Sequence, residues 1–168
     1  MPVLPGKAAR WSRREHFHLT LRFLGNVAMS RVDDLVQAAR AACDPFGPLR
    51  LTAAGVGFFP DSGAPRVLWV GVKDLDERLR ALWSALQSAT QLFTAERAEK
   101  DFTGHVTLAR INRLPRTQAA ELAKAAAKYD EIVFGRWIAR SVELMRSELL
   151  PRRAHHSVLA ELSLQASA

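Results

Sequence analysis

A chain of 168 residues, 48% apolar and 24% charged, has room for one sizeable domain or two small lobes sharing a core. No apolar run approaches the ~20 residues of a membrane span, the N-terminal "MPVLPGKAARWSRR" lacks the apolar centre of a secretory signal, and the single Cys43 excludes an internal disulfide and a cysteine-based zinc site. Lys and Arg outnumber Asp and Glu by 24 to 17, a net +7 that favours polyanionic partners, although Arg10, Arg13, Arg14, Arg22, Arg110, Arg113, Arg116, Arg152 and Arg153 are scattered rather than blocked.

These features predict a soluble cytoplasmic protein. Residues 1–10 carry two prolines and a glycine and read as loop. Residues 16–24, HFHLTLRFL, alternate: Phe17, Leu19, Leu21 and Phe23 share one parity, and His16, His18, Thr20 and Arg22 share the other. Period two predicts a half-buried strand, ended by Gly25-Asn26. Ser30, with Asp33 three residues on, opens a helix whose apolar stripe is Val32, Leu35, Val36, Ala39 and Cys43. Cys43 is therefore core filler rather than a nucleophile. "DPFGP" stops that helix.

Strands are predicted at about 49–58 and 66–72, on either side of the turn "PDSGAP". "RVLWVGV" is apolar on both parities, as a central strand is. Asp74 and Glu77 mark the next helix start, and Leu75, Leu79, Leu82, Leu86, Ala89 and Phe93 follow at spacings of three and four. A strand at about 102–111, an Ala-rich helix from Thr117 to about Tyr129, and strands at about 131–148 and 156–164 complete the chain. The order strand, helix, two strands recurs after the middle. It predicts an α+β fold: two pseudo-symmetric lobes of mostly antiparallel sheet with outer helices and an active-site cleft between them.

Each half is led by the same tetrapeptide pattern, His-aliphatic-Thr-Leu: HLTL at 18–21 and HVTL at 105–108. On a strand, residues i and i+2 share a face. His18 therefore projects with Thr20, and His105 with Thr107, while the aliphatic and Leu positions turn to a core. Two imidazoles in one groove suit acid–base catalysis, because one can accept a proton while the other donates one. A Thr hydroxyl beside each can hold a phosphoryl oxygen. The set fits metal-independent phosphoryl transfer. His16 and His18 also share a face as two ligands of a metal would, but no acidic residue of the strand and no cysteine joins them. His155 and His156, as neighbours, point to opposite faces and read as structural or substrate-edge residues. Phe58 and Phe59 in "GVGFFP" are candidates for stacking a base, with one of the two turned to the core.

The paired HLTL and HVTL resemble the two HxTx motifs of the 2H phosphoesterases. "HFHLTLRFLGNV", "GVGFFP" (55–60), "APRVLWVGV" (64–72) and "GHVTLARI" (104–111) are similar to text in the bacterial and archaeal RNA 2′,3′-cyclic phosphodiesterases, once called 2′-5′ RNA ligases. The resemblance runs from about Trp11 to the C-terminus. It implies two lobes around a basic cleft, forming one bilobal domain over 1–168. The implied substrate is an RNA end bearing a 2′,3′-cyclic phosphate, tRNA fragments among them, opened by water to a 2′-phosphate. His18 would match the proton donor, His105 the proton acceptor, and Thr20 and Thr107 the phosphate binders. Arg110 matches an Arg that commonly follows the second motif, and reaching the substrate from there requires the strand to end or bulge near Ala109. No cofactor and no metal are implied, and a monomer is expected.

The sequence departs from the family in three places. Family members usually carry a strand and a helix before the Trp, whereas about ten residues precede Trp11 here, which implies either a start codon assigned too late or a first lobe without an edge strand; Gly104 stands where Pro is usual; and His156 stands where a Tyr is often found. The same two histidines would serve a 2′-5′ RNA ligase or a phosphodiesterase for 2′,5′ linkages or small cyclic nucleotides. A non-catalytic RNA-end binder is the alternative from another class.

Overall fold

The computed structural model describes residues 8–97, 101–112, 114–150 and 153–165. It contains seven strands and three α-helices among those residues, and its α+β class is the one predicted. The strands are β1 (Ala9–Trp11), β2 (Leu49–Phe59), β3 (Val67–Asp74), β4 (His105–Ile111), β5 (Val133–Ala139), β6 (Ser141–Leu150) and β7 (Arg153–Ser163). The helices are α1 (Val32–Cys43), α2 (Arg78–Thr90) and α3 (Arg116–Ala126).

The chain forms two compact units, each assembled from three separate stretches. The first takes the described residues up to Thr20, Leu51–Lys73 and Thr103–Trp137; the second takes Leu21–Arg50, Asp74–Phe102 and the described residues from Ile138 on. The units are thus not the two halves of the sequence. Both tetrapeptides lie in the first, apart from Leu21 at the end of HLTL.

The first unit is built on a five-stranded sheet of order β1-β4-β3-β2-β5, in which β4 runs antiparallel to both β1 and β3. The "RVLWVGV" strand, β3, is central, as its two apolar parities predict. One face of the sheet is the core. Leu68, Ala109 and Ile111 pack there with Leu114 and with Leu122 of α3, joined by Ala8, Ala9, Val56, Phe58 and Leu108. Leu68, Val70 and Val72 are buried at period two, which fixes that face as the inner one.

In the second unit the apolar stripe of α1 buries Leu35, Ala39 and Cys43, and that of α2 buries Leu79, Leu82, Trp83 and Leu86. Asp74 opens α2 across a turn: its carboxylate accepts the Leu79 N–H at 3.0 Å, while Glu77 takes the left-handed backbone at φ 53°. Leu75, assigned to the helical stripe by its spacing, precedes the helix and is 95% exposed. Cys43 is fully buried, and burial, followed by the Asp44 charge, pushes its thiol up to about 11. The β6–β7 hairpin runs from Ser141↔Ser163 to Leu150↔Arg153.

Three predicted elements differ. Residues 1–10 were expected as loop, yet Ala9 and Arg10 enter β1, because the edge of β4 offers them a ladder; the Ser12 N–H reaches Leu108 O and the Asn112 N–H reaches Ala8 O, both at 2.8 Å. Residues 16–24 do not form a strand. Arg14–His16 make a single 3₁₀ turn, and the extended chain beyond it has one ladder contact, the antiparallel bridge Leu19↔Val106. The edge of β4 is already occupied by β1 at Ala109–Ile111, so only Leu19 finds a partner; Phe17 and Phe23 of the expected buried parity are 45% and 69% exposed. The segment expected as one strand at 131–148 is two, β5 and β6, and the Arg140 carbonyl between them accepts the Leu164 N–H at 2.7 Å.

Candidate active site

His105 is the first residue of β4. The register pairs it with Gly71, Val106 with Val70, and Thr107 with Trp69. Residues directly opposite in a ladder share a face. Val70 is buried in the core, so His105 and Thr107 stand on the other, outer face with Trp69. Gly71 opposite His105 contributes no side chain to crowd the ring; a Cβ there would lie 2.7 Å from Ala54 O.

The His105 ring is held on two sides. Its Nδ1–H donates to Thr103 O at 2.8 Å. It makes a T-shaped contact with Phe59, with centroids 4.9 Å apart at 81°, and Trp69 lies 6.2 Å away. Phe59 and Trp69 pack on each other at 5.3 Å and form a wall behind the imidazole. Trp69 can lie flat only because residue 57 is glycine: a Cβ on Gly57 would fall 2.2 Å from the indole. The two adjacent phenylalanines divide as alternation demands, Phe59 to the histidine and Phe58 to the core.

His18 repeats the arrangement. Its Nδ1–H donates to His16 O at 2.8 Å, again the carbonyl two residues earlier. The bridge Leu19↔Val106 sets Leu19 beside β4 and leaves its neighbours on the face that carries His105 and Thr107. The antiparallel sense runs Thr20 towards His105 and His18 towards Thr107. The two histidines and two threonines thus flank a single antiparallel bridge, Leu19↔Val106, within the first unit. His18 is exposed; His105, Thr20 and Thr107 are half-buried.

The tautomers follow from the partners. A carbonyl only accepts, so each Nδ1 carries its hydrogen, and each Nε2 is the nitrogen that binds or releases a proton. Two such nitrogens can supply one acceptor and one donor.

Simple alternation puts Arg110 on the core face, five residues after His105. The register shows otherwise. Between Thr107↔Trp69 and Ala109↔Leu68 the ladder shifts, and β4 spends one extra residue, Leu108, which packs against the core. Beyond this bulge Ala109 is buried opposite Leu68, and Arg110, opposite Val67, returns to the outer face with His105 and Thr107. Arg22 shares the parity of His18 and Thr20 in the sequence but lies in the second unit, where its guanidinium donates to the Gln87 backbone and side chain and to Gln91. His156 lies on the hairpin with its Nδ1 2.9 Å from Ser147 Oγ, and the side chain of His155 falls outside the described residues. Trp69 was legible only as part of an apolar strand. Its parity, opposite to Leu68 and Val70, is the signal that separates it from the core.

Among the described residues no three His, Cys, Asp or Glu side chains gather as a metal site, and no helix is long and apolar enough to cross a membrane.

Residues 2–69 match the family described as LigT like phosphoesterase. An RNA 2′,3′-cyclic phosphodiesterase of Archaeoglobus fulgidus is 34% identical over 138 residues, covering 82% of this chain and 74% of the relative. One from Aquifex aeolicus is 28% identical over 156 residues, covering 92% and 81%. A crystal structure of a Thermus thermophilus protein superposes with TM-score 0.78 at 27% identity, over 99% of this chain and 87% of that one. Escherichia coli LigT complexed with 3′-AMP shares the fold at TM-score 0.72 and 22% identity, over 96% and 84%.

Proposed function

Because the chain belongs to the LigT-like phosphoesterase family, alongside known RNA 2′,3′-cyclic phosphodiesterases, we propose that it hydrolyses the 2′,3′-cyclic phosphodiester at an RNA end to a 2′-phosphomonoester. The observation that carries this reading is the matched tethering of His18 and His105, each with Nδ1–H on the carbonyl two residues back and Nε2 free to move a proton.

Water attacks the cyclic phosphorus as neutral His105 accepts its proton on Nε2. The phosphorus–O3′ bond breaks as protonated His18 gives its Nε2 proton to O3′. The phosphate stays on O2′. His105 is left charged and His18 neutral, and exchange with solvent resets both. The Thr20 and Thr107 hydroxyls donate to the non-bridging oxygens as charge builds on them. Each step uses a group of this chain, and the aromatic wall keeps His105 in one orientation.

The test is turnover of an oligonucleotide ending in a 2′,3′-cyclic phosphate, with 2′- and 3′-phosphate products resolved, with and without EDTA. A 2′-phosphate product at undiminished rate in EDTA supports the reading. A 3′-phosphate product, a new 2′,5′-linked strand, or tight binding without turnover overturns it.

A further inference from the structure

The outer face of the sheet carries a second cationic residue beside Arg110. The β1–β4 register sets Arg10 directly opposite Arg110. Ala9 packs on the core and Arg10 is exposed, so Arg10 shares the face of Arg110, Thr107 and His105. The hydrogen bonds from Ser12 N–H to Leu108 O and from Asn112 N–H to Ala8 O bracket the pair and fix its register on both sides.

Like charges directly opposite in a ladder destabilise it. Here no carboxylate relieves them: among the described residues the ion pairs are Arg13–Glu15, Arg50–Asp76 and Arg146–Glu148. The arrangement makes sense if an anion sits between the guanidiniums. The bulge at Leu108 matters to the pair because, without it, Arg110 would turn inward. Arg110 stands one step along β4 from the threonine read above as a phosphate holder, in line with it on one face.

We propose that Arg10 and Arg110 form a two-guanidinium clamp for the phosphodiester one nucleotide 5′ of the cyclic phosphate. The clamp would let the enzyme favour the end of an RNA strand over a lone cyclic mononucleotide. It rests on the hydrolase reading for its substrate. Arg10 is the new element, a specificity residue placed by register from a segment with loop-like composition. Guanidiniums suit the task, since their planar donors grip phosphate oxygens in pairs.

The experiment compares wild type, Arg10→Gln and Arg10→Lys on a 2′,3′-cyclic mononucleotide and on a dinucleotide with the same cyclic end. Losing one charge-assisted contact should raise the dinucleotide KM about ten-fold more than the mononucleotide KM. Arg10→Lys should recover part of that difference. The salt slope of the dinucleotide log KM should shrink by about 0.7, as expected for one lost phosphate contact on a single strand. Equal KM changes for the two substrates, or none, would overturn the clamp. Fluorescence anisotropy of a labelled oligonucleotide ending in a 3′-phosphate gives a readout that needs no turnover. If wild type hydrolyses neither substrate, the hydrolase reading fails, and the clamp then stands or falls on whether Arg10→Gln weakens that binding.

Discussion

At the scale of single residues, the site depends on two imidazoles whose proton-carrying nitrogens are set by backbone carbonyls. His105→Ala and His18→Ala should each lower the rate by at least ~100-fold, the usual contribution of a general acid or base. Circular dichroism should show both variants folded, because neither ring is in the core; near wild-type activity in either would sink the assignment. The adjacent phenylalanines make a sharper pair. Phe58→Ala should lower stability by ~2 kcal/mol, less than a fully buried aromatic costs, and should show in denaturant midpoints. Phe59→Ala should act chiefly on turnover, since Phe59 touches His105. The reverse pattern would mean that the two rings are misassigned. The sequence showed that one of them turns inward, but alternation alone has no origin: choosing which needs the register of β2 against its neighbours.

At the scale of elements, the wall behind His105 is a contact between two strands. Gly57 on β2 leaves the space that Trp69 on β3 fills. Gly57→Ala pushes a carbon into a rigid ring rather than a flexible tip. It should cost about 1–3 kcal/mol, as overpacking does, and reduce turnover by displacing Trp69 from beside His105. Adding Trp69→Leu to Gly57→Ala should restore stability, measured as a double-mutant cycle; additive losses would show that the contact is not the cause. The helices and the central strand were legible because their patterns match their own burial: Leu79, Leu82 and Leu86 lie where the spacing puts them. The strand over 16–24 was not. Its alternation is real, but a strand needs a partner along its length, and β4 had only Val106 to give. The short β1 was hidden for the opposite reason. Three residues in proline- and glycine-bearing text have too little pattern of their own, and a ladder on β4 makes them a strand.

For the whole molecule, the second unit carries a strongly displaced titration, that of Cys43. Cys43 ionises at about 11 when folded, above its ordinary value, because burial disfavours the thiolate. The unfolded chain releases that proton first, so the stabilising effect is full below the ordinary thiol range and is lost as pH rises through it towards 11. Unfolding midpoints should therefore fall over that window, and Cys43→Ala should flatten this part of the fall. A thiol reagent at neutral pH should label Cys43 only after unfolding; rapid labelling of the folded protein would contradict its burial. Pairing the chain's two HxTL copies was possible from spacing alone. Their common home was not, since each unit collects distant stretches, and the first unit takes its chain up to Thr20 and resumes only at Leu51. The extra residue at Leu108 adds a different kind of constraint, one of reading frame. Between Thr107 and Arg110 the strand counts to three, and that odd count keeps both side chains outward. Deleting Leu108 would leave every functional residue in the text and the HVT of the motif intact, yet turn the guanidinium into the apolar layer. Scanning single-residue insertions and deletions along this strand should therefore reveal a stretch between Thr107 and Arg110 where length matters more than identity, so that an apolar substitution such as Leu108→Met is tolerated and removal of the residue is not.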